Sequence, residues 1–389
     1  MRDEQHRVVV IGGGYAGVIA ANHLRLGADL HITLVNPRRE FVERIRLHQL
    51  LTGSDDAVVD YADILGPGIE LVTDAATRID TGARVVRLRQ GAPLPYDYLV
   101  YAVGSDSSGP TVPGADEFAY SVTSLEEARR LATALEAVRA DSPVCVVGAG
   151  PTGIEVAAEL AEQGRALTLV CGGVLGPYLS GRGRRSVSRR LTALGVDLVE
   201  GPATTVATVT SDAITLADGR RLASGATIWT AGFGVPDLAS RSGLRTDAIG
   251  RLLTDETLTS IDDRRIVAAG DAAAPSGRPL RMSCQAAIPL GAQAADTVLA
   301  RIAGDAAPVI NQAFTGQCIS LGRGAGMVQL ARRDDTALPL YLGGRAAAAV
   351  KEAVCRNTVA SLRREARRPG SVFWLKGGRR DVAATVNVP

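Results

Sequence analysis

One pattern occurs twice and limits what this chain can become. It is G-x-G-x-x-G, first as Gly12, Gly14 and Gly17 in VVVIGGGYAGVIAANHL, then as Gly148, Gly150 and Gly153 in VCVVGAGPTGIEVAAELAE. Each copy follows four apolar residues that read as a buried strand and runs on into a helical stretch. Glycine is needed for three reasons: a tight strand-to-helix turn, close backbone approach to a pyrophosphate, and close helix–strand packing. The helix N-terminus adds free N–H groups and a positive dipole end. Tyr15 and Ala16 fill the first turn and Thr152 the second, so they are expected beside the same phosphates.

At 389 residues the chain can bury two or three cores. A formal charge of +2 gives no polyanion a reason to bind, so no nucleic-acid partner is expected. The five cysteines are odd in number and form no C-x-x-C, which points away from a disulfide framework and toward a reducing cytoplasm. The first residues, MRDEQHRVVVIGGG, hold no apolar signal-peptide core, and no run of 18 apolar residues predicts a membrane span. The four histidines are scattered and predict no metal site. No G-x-S-x-G nucleophile turn occurs. Redox chemistry is what remains for a chain with two dinucleotide turns.

Along the chain, HITLV (31–35) closes the first βαβ unit, and Asn36 before Pro37 stands where a ribose-binding acid is usual, 19 residues past Gly17. FVERIRLHQLLTG follows as a helix carrying Arg44, Arg46 and His48, of which Arg44 is the candidate pyrophosphate clamp. Residues 69–101 alternate like a β-meander ending in LVYAVGS, where Ala102 and Gly104 bring backbone near a cofactor. A Pro/Gly linker spans 109–114, and Ser124-x-x-Glu127 caps an amphipathic helix. The second unit ends at Cys171 rather than an acid, and five arginines between 182 and 190 follow. These read either as a sensor for a 2′-phosphate or, preferably, as the wet face of a helix. Glu159 is expected at the surface, and Glu155 near a reactive ring. Asp218-Gly219 signals a hairpin, and TAGFG presents Gly232. In IVAAGDAAA, Gly270 and Asp271 follow a buried strand, where the carboxylate can accept a ribityl hydroxyl and cap the next helix. That helix, RMSCQAAIPLGAQAADTVLARIAG, is expected to break near Pro289. Beyond Pro308 a hairpin with a turn at 322–326 leads into one basic helix.

With both glycine turns, AVGS, TAGFG and AAGDAA in this order, the chain resembles the two-dinucleotide-binding-domain flavoproteins. Within them it looks most like type II NADH:quinone oxidoreductases and apoptosis-inducing-factor-like relatives. The resemblance implies an α/β fold of two Rossmann-like domains, for FAD and for NADH or NADPH, each with a three-stranded β-meander, and a small C-terminal α+β region. The boundaries are 1–112 and 236–307 for FAD, 113–235 for the nicotinamide nucleotide, and 308–389 for the C-terminal region. It also implies that Gly12, Gly14, Gly17, Asn36, Arg44 and Asp271 hold FAD, with the Ala76 backbone at adenine. Gly148, Gly150 and Gly153 would hold the nicotinamide nucleotide, and Gly232 would lie beside its ring. Glu155 would sit between nicotinamide and quinone, while Gln285, Ala286 and Ala287 would meet the flavin through helix N–H groups.

Two departures from that family bear on the acceptor. Its A-Q-x-A-x-Q-Q-G pattern stands here as Cys284 to Gly291 with Pro289 and Leu290 in place of the last two glutamines. The C-terminal region is too polar for firm anchoring, so at most loose membrane contact is expected. The acceptor is read as a quinone-like small molecule. A ferredoxin-like protein docking on the 182–190 arginines is the runner-up, and a redox-sensing binding protein is the non-enzymatic rival. A homodimer is compatible with the sequence. Cys318 alone gives little support to sulfide:quinone chemistry.

Overall fold

The computed structural model describes residues 5–107 and 111–378. Two parallel sheets organise it. The first begins with His6–Ile11 (β1), Leu30–Asn36 (β2), Ile69–Thr73 (β3) and Tyr98–Tyr101 (β4). The second is built from Ala119–Ser121 (β5), Val144–Val147 (β6), Leu167–Val170 (β7), Val196–Val199 (β8) and Ala226–Trp229 (β9). The chain then returns to the first sheet with Ile266–Ala268 (β10). The orders are β10-β4-β1-β2-β3 and β5-β9-β6-β7-β8, five strands each and parallel at every pairing. Sheets covered on both faces need apolar side chains on both, and β1, β6 and β10 supply them: Val8, Val10, Val144, Val146, Ile266 and Val267 are fully buried. Where the chain crosses between the sheets its two strands pair, Asp106 opposite Gly234 and Ser107 opposite Phe233.

The expected meander of 69–101 is corrected in one respect. Its outer segments, β3 and β4, belong to the parallel sheet, and the three-stranded antiparallel unit lies between them at 76–80, 85–88 and 94–95. A matching unit at 206–209, 213–216 and 221–223 follows β8, with Asp218-Gly219 at its hairpin. Of the 109–114 linker, residues 109 and 110 lie outside the described ones.

Helices Tyr15–His23 (α1), Leu47–Leu50 (α2), Leu125–Ala137 (α3), Pro151–Glu162 (α4), Gly181–Ala193 (α5), Cys284–Ala303 (α6) and Gly344–Arg367 (α7) cover the sheets. Ser124 Oγ accepts from Glu127 N and caps α3 as its sequence predicts. The segment at 44–50 is a 3₁₀ turn leading into the short α2 rather than one helix. Helix α6 runs unbroken through Pro289, against expectation. Proline removes the N–H that would bond to the Gln285 carbonyl, and Gln312 Nε2 donates to that carbonyl instead at 3.2 Å. Nor does Asp271 cap α6; Ser283 Oγ does, accepting from Ala286 N.

The C-terminal region is a three-stranded antiparallel sheet, Gly316–Ser320 (β11), Gly326–Ala331 (β12) and Ala337–Gly343 (β13), with α7 laid across it and against α1. The hairpin and the basic helix are as the sequence predicts; the third strand is additional. On α5, Arg182, Arg185 and Arg189 are exposed while Gly183, Val187 and Leu191 are buried, which is the wet-face arrangement. Among the described residues no helix is long and apolar enough to cross a membrane.

Candidate active site

The carboxyl ends of β1, β4 and β10 meet at one point, where open α/β sheets take ligands. Gly12 turns with φ +105°, and a Cβ there would lie 2.2 Å from the Ala102 carbonyl oxygen. A Cβ on Gly17 would lie 1.8 Å from the Gly12 oxygen, so only glycine lets α1 pack on its own turn. Gly14 differs: a Cβ there would meet nothing within 4 Å. The second turn repeats this at Gly148 (φ +113°), Gly153 (1.9 Å from the Gly148 oxygen) and an open Gly150. Two turns, each with an open middle glycine at a helix N-terminus, fit two pyrophosphates.

Around the first turn, Asn36 Oδ1 accepts from Gly13 N at 3.1 Å and its Nδ2 donates to Arg38 O at 2.9 Å, past Pro37. Tyr61, which the sequence reading missed, donates its hydroxyl to Gly13 O at 2.7 Å. Tyr15 is buried edge-on against Phe41. Arg44 Nη1 donates to the Ser105 carbonyl at 2.7 Å, and Ser105 Oγ donates to Asp271 Oδ2 at 2.7 Å, so Arg44 and Asp271 are brought together beside Gly104. A Cβ on Gly270 would lie 3.0 Å from Ala16 Cβ and 3.6 Å from Ala287 Cβ, and one on Gly291 would lie 2.3 Å from Ala16 O. Small residues therefore let α6 close on α1. Ala76 opens the first meander, away from the Asp271 cluster in sequence but paired with Leu88.

The Ala286 and Ala287 N–H groups, expected to meet the flavin, bond to the Ser283 carbonyl at 3.1 and 2.9 Å. The Gln285 side chain faces the C-terminal sheet, its amide oxygen accepting from Thr315 Oγ1 at 2.7 Å and its nitrogen donating to Gly316 O at 3.0 Å.

Around the second turn, Thr152 lies in the first turn of α4. Thr230 Oγ1 donates to the Val147 and Gly148 carbonyls, bracing the turn from β9, and Gly232 follows with φ +79°. At the end of β7, Cys171 N donates to Val199 O, which sets Cys171 beside Glu200. Glu200 Oε1 accepts from Leu175 N at 2.7 Å, closing the loop past Cys171.

Glu155 and Glu159 face inward from α4, and Glu159 is buried, not at the surface. Lys351 Nζ on α7 lies 2.9 Å from Glu155 Oε1, and Ser320 N donates to the same oxygen at 3.0 Å. Burial opposes ionisation of Glu155, but Lys351, His48 and the Ser320 N–H outweigh it and hold the carboxyl below its ordinary range. Burial likewise opposes the Lys351 charge, and Glu155 outweighs it, raising the ammonium. His48 on α2 stands beside both carboxylates, Nδ1 3.6 Å from Glu155 Oε2 and Nε2 4.0 Å from Glu159 Oε1. Burial, with Lys351, Arg323 and Arg46 nearby, lowers His48 to about 4 despite Glu155. Glu159 is bonded by Arg323 and by Ser320 Oγ. Arg46 points elsewhere, to Glu352, Glu43 and Asp55.

Two parallel sheets, each ending in an open glycine turn and bridged by paired crossings, define a two-nucleotide oxidoreductase. The pyridine nucleotide-disulphide oxidoreductase family model matches residues 6–291, and the chain belongs to that family, whose members use FAD and NADH. It is similar to an NADH dehydrogenase-like protein of Mycobacterium tuberculosis strain H37Rv, 33% identical over 322 residues, covering 75% of this chain and 80% of that one. It is also similar to the type II NADH:quinone oxidoreductase of Staphylococcus haemolyticus, 26% identical over 92% of this chain and 96% of that one. Among solved structures, the sulfide:quinone oxidoreductase of Aquifex aeolicus superposes with TM-score 0.80 at 21% identity over 92% of each chain, a likeness of fold.

Proposed function

We propose that this oxidoreductase takes a hydride from a reduced nicotinamide nucleotide through FAD and delivers the electrons to a quinone-like small molecule. The observation that carries the reading is the pair of open middle glycines, Gly14 and Gly150, each at the carboxyl end of its own sheet. FAD, when bound, accepts the hydride and passes the electrons on. Gly12, Gly14 and Gly17 receive its pyrophosphate, Asn36 its adenosine ribose, and the Asp271–Ser105–Arg44 cluster its ribityl and phosphate oxygens. Gly148, Gly150 and Gly153 receive the nicotinamide nucleotide, with Gly232 beside its ring. Glu200, standing next to Cys171, supplies the acid that the end of β7 lacks, which favours NADH over NADPH. The quinone acceptor is supported by the named activity of the staphylococcal relative. Reducing a quinone to a quinol takes two electrons and two protons. The hydride carries one proton's worth of hydrogen, and the second proton comes from water. Glu155, buried and paired with Lys351, holds that proton's place at its Oε atoms.

The test is steady-state NADH oxidation by the purified holoprotein with a short-chain quinone and, separately, with a small acidic ferredoxin. Quinone turnover at tens per second with no ferredoxin turnover supports the reading. Turnover with ferredoxin alone replaces it with the protein-carrier reading.

A further inference from the structure

Each turnover in the proposed reaction draws one proton from water, yet Glu155, the carboxylate placed to hold it, is buried to 6% exposure. Its route to solvent is a line of side chains. Glu155 and Glu159 lie one turn apart on α4, both pointing at the imidazole of His48, which reaches across from α2 and is 3% exposed. Nδ1 faces one carboxylate at 3.6 Å and Nε2 the other at 4.0 Å. His48 Nε2 is buried without a hydrogen-bond partner, an arrangement that costs stability in a merely structural histidine. Beyond Glu159 stands Arg323, whose side chain is 41% exposed; the guanidinium, always protonated, passes no proton itself, so the line takes its proton from water that reaches Glu159 when that side chain swings aside.

We propose that His48 is the proton relay between Glu159 and Glu155. The inference rests on the reductase reading above. The charges around His48 are Glu155 and Glu159 from α4, Lys351 from α7, Arg323 from the β11–β12 turn and, from its own segment, Arg46, whose guanidinium is paired with Glu352, Glu43 and Asp55. The two carboxylates are already matched by Lys351 and Arg323, so an imidazolium would be surplus and the ring rests neutral. A neutral imidazole has one N–H and one lone pair, on opposite sides of the ring. Once Glu159, which burial raises above its ordinary range, has taken a proton from water, the ring can accept that proton at Nε2 while giving its own from Nδ1 to Glu155, and a ring flip resets it. Both separations exceed hydrogen-bond length, so each transfer needs a side-chain shift of about 1 Å.

The experiment uses the holoprotein, reduced anaerobically with NADH and then mixed either with a soluble quinone or with ferricyanide, which takes electrons without protons. In His48→Gln we expect bleaching by NADH and reoxidation by ferricyanide within about twofold of wild type. Reoxidation by quinone should fall at least tenfold, with an enlarged solvent deuterium isotope effect. Imidazole should restore part of it in His48→Gly. Glu159→Gln, which blocks the outer end of the line, should give the same split should the His48 variants not fold. Nitrogen NMR of the wild type should show the His48 ring neutral from pH 5 to 8, independently of turnover. Quinone reoxidation unchanged in a folded His48→Gln, equal losses with both acceptors, or a charged ring at neutral pH overturns the relay. Failure of NADH to bleach the wild type overturns the reductase reading instead.

Discussion

Replacing Lys351 by Met removes the positive half of a buried ion pair and leaves the Glu155 carboxylate without its partner. At the 2.9 Å separation the attraction is roughly 6 kcal/mol for an effective dielectric near 20, most of it offset by the desolvation of both groups. Removing one partner exposes the unbalanced part, and losses of ~3–5 kcal/mol are usual. At about 1.2 °C per kcal/mol for a chain of 389 residues, the thermal midpoint should fall by roughly 4–6 °C. The loss should depend on pH. In the wild type Glu155 sits below its unfolded value, so its contribution is present above that value and lost as pH falls through the folded one. Without Lys351, burial lifts Glu155 above its unfolded value, and the variant recovers as pH falls and the group protonates. The deficit should therefore be largest near pH 8 and shrink toward pH 5. The double variant Glu155→Gln/Lys351→Met should lie close to wild type, because neither charge is stranded. Thermal unfolding of wild type and the two variants across that range is the assay. A deficit that does not vary with pH, or a double variant less stable than Lys351→Met, would refute the reasoning.

Three further outcomes follow from the geometry. His23, clamped between Glu365 at 2.7 Å and Asp296 at 3.0 Å, is raised to about 9 by those carboxylates against its own burial. Its contribution is complete below the unfolded value near 6.5 and disappears as pH rises through about 9, so wild-type melting temperature should fall from pH 7 to 10 while His23→Gln stays flatter. Gly153→Ala puts a methyl 1.9 Å from the Gly148 oxygen and should weaken nicotinamide binding more than tenfold with the flavin retained; Gly17→Ala should do the reverse, losing the yellow colour on purification. Glu200→Gln should lower the NADH-over-NADPH ratio of kcat/KM at least tenfold, and an unchanged ratio assigns selectivity elsewhere.

The two glycine turns and the strands feeding them were legible because their chemistry is local: each glycine answers to atoms a few residues away. The same holds for Ser124 capping α3 and for the hairpin at Asp218. What was not legible depends on distant residues. Pro289 reads as a helix break until Gln312, 23 residues on, is seen to satisfy the carbonyl it frees. Glu159 reads as surface because an acid four residues after another on a helix usually is; β11 and Arg323 bury it. Lys351 reads as one more charge of the basic C-terminal helix, although a signal for burial was there. Of 43 basic residues only Lys351 and Lys376 are lysines, and in a chain that otherwise uses arginine Lys351, its side chain 11% exposed, is the one set against the buried Glu155. His48 looked like one more polar residue in RLHQL until α4 placed two carboxylates against it.

Anaerobic stopped-flow mixing of the purified flavoprotein with NADH, followed by a soluble quinone, tests the central claim most directly. The account predicts rapid bleaching near 450 nm with NADH, much slower bleaching with NADPH, and rapid return of the colour with quinone. A flavin that NADH does not bleach would contradict the working of the second glycine turn, and one that bleaches but is not reoxidised by quinone would contradict the acceptor.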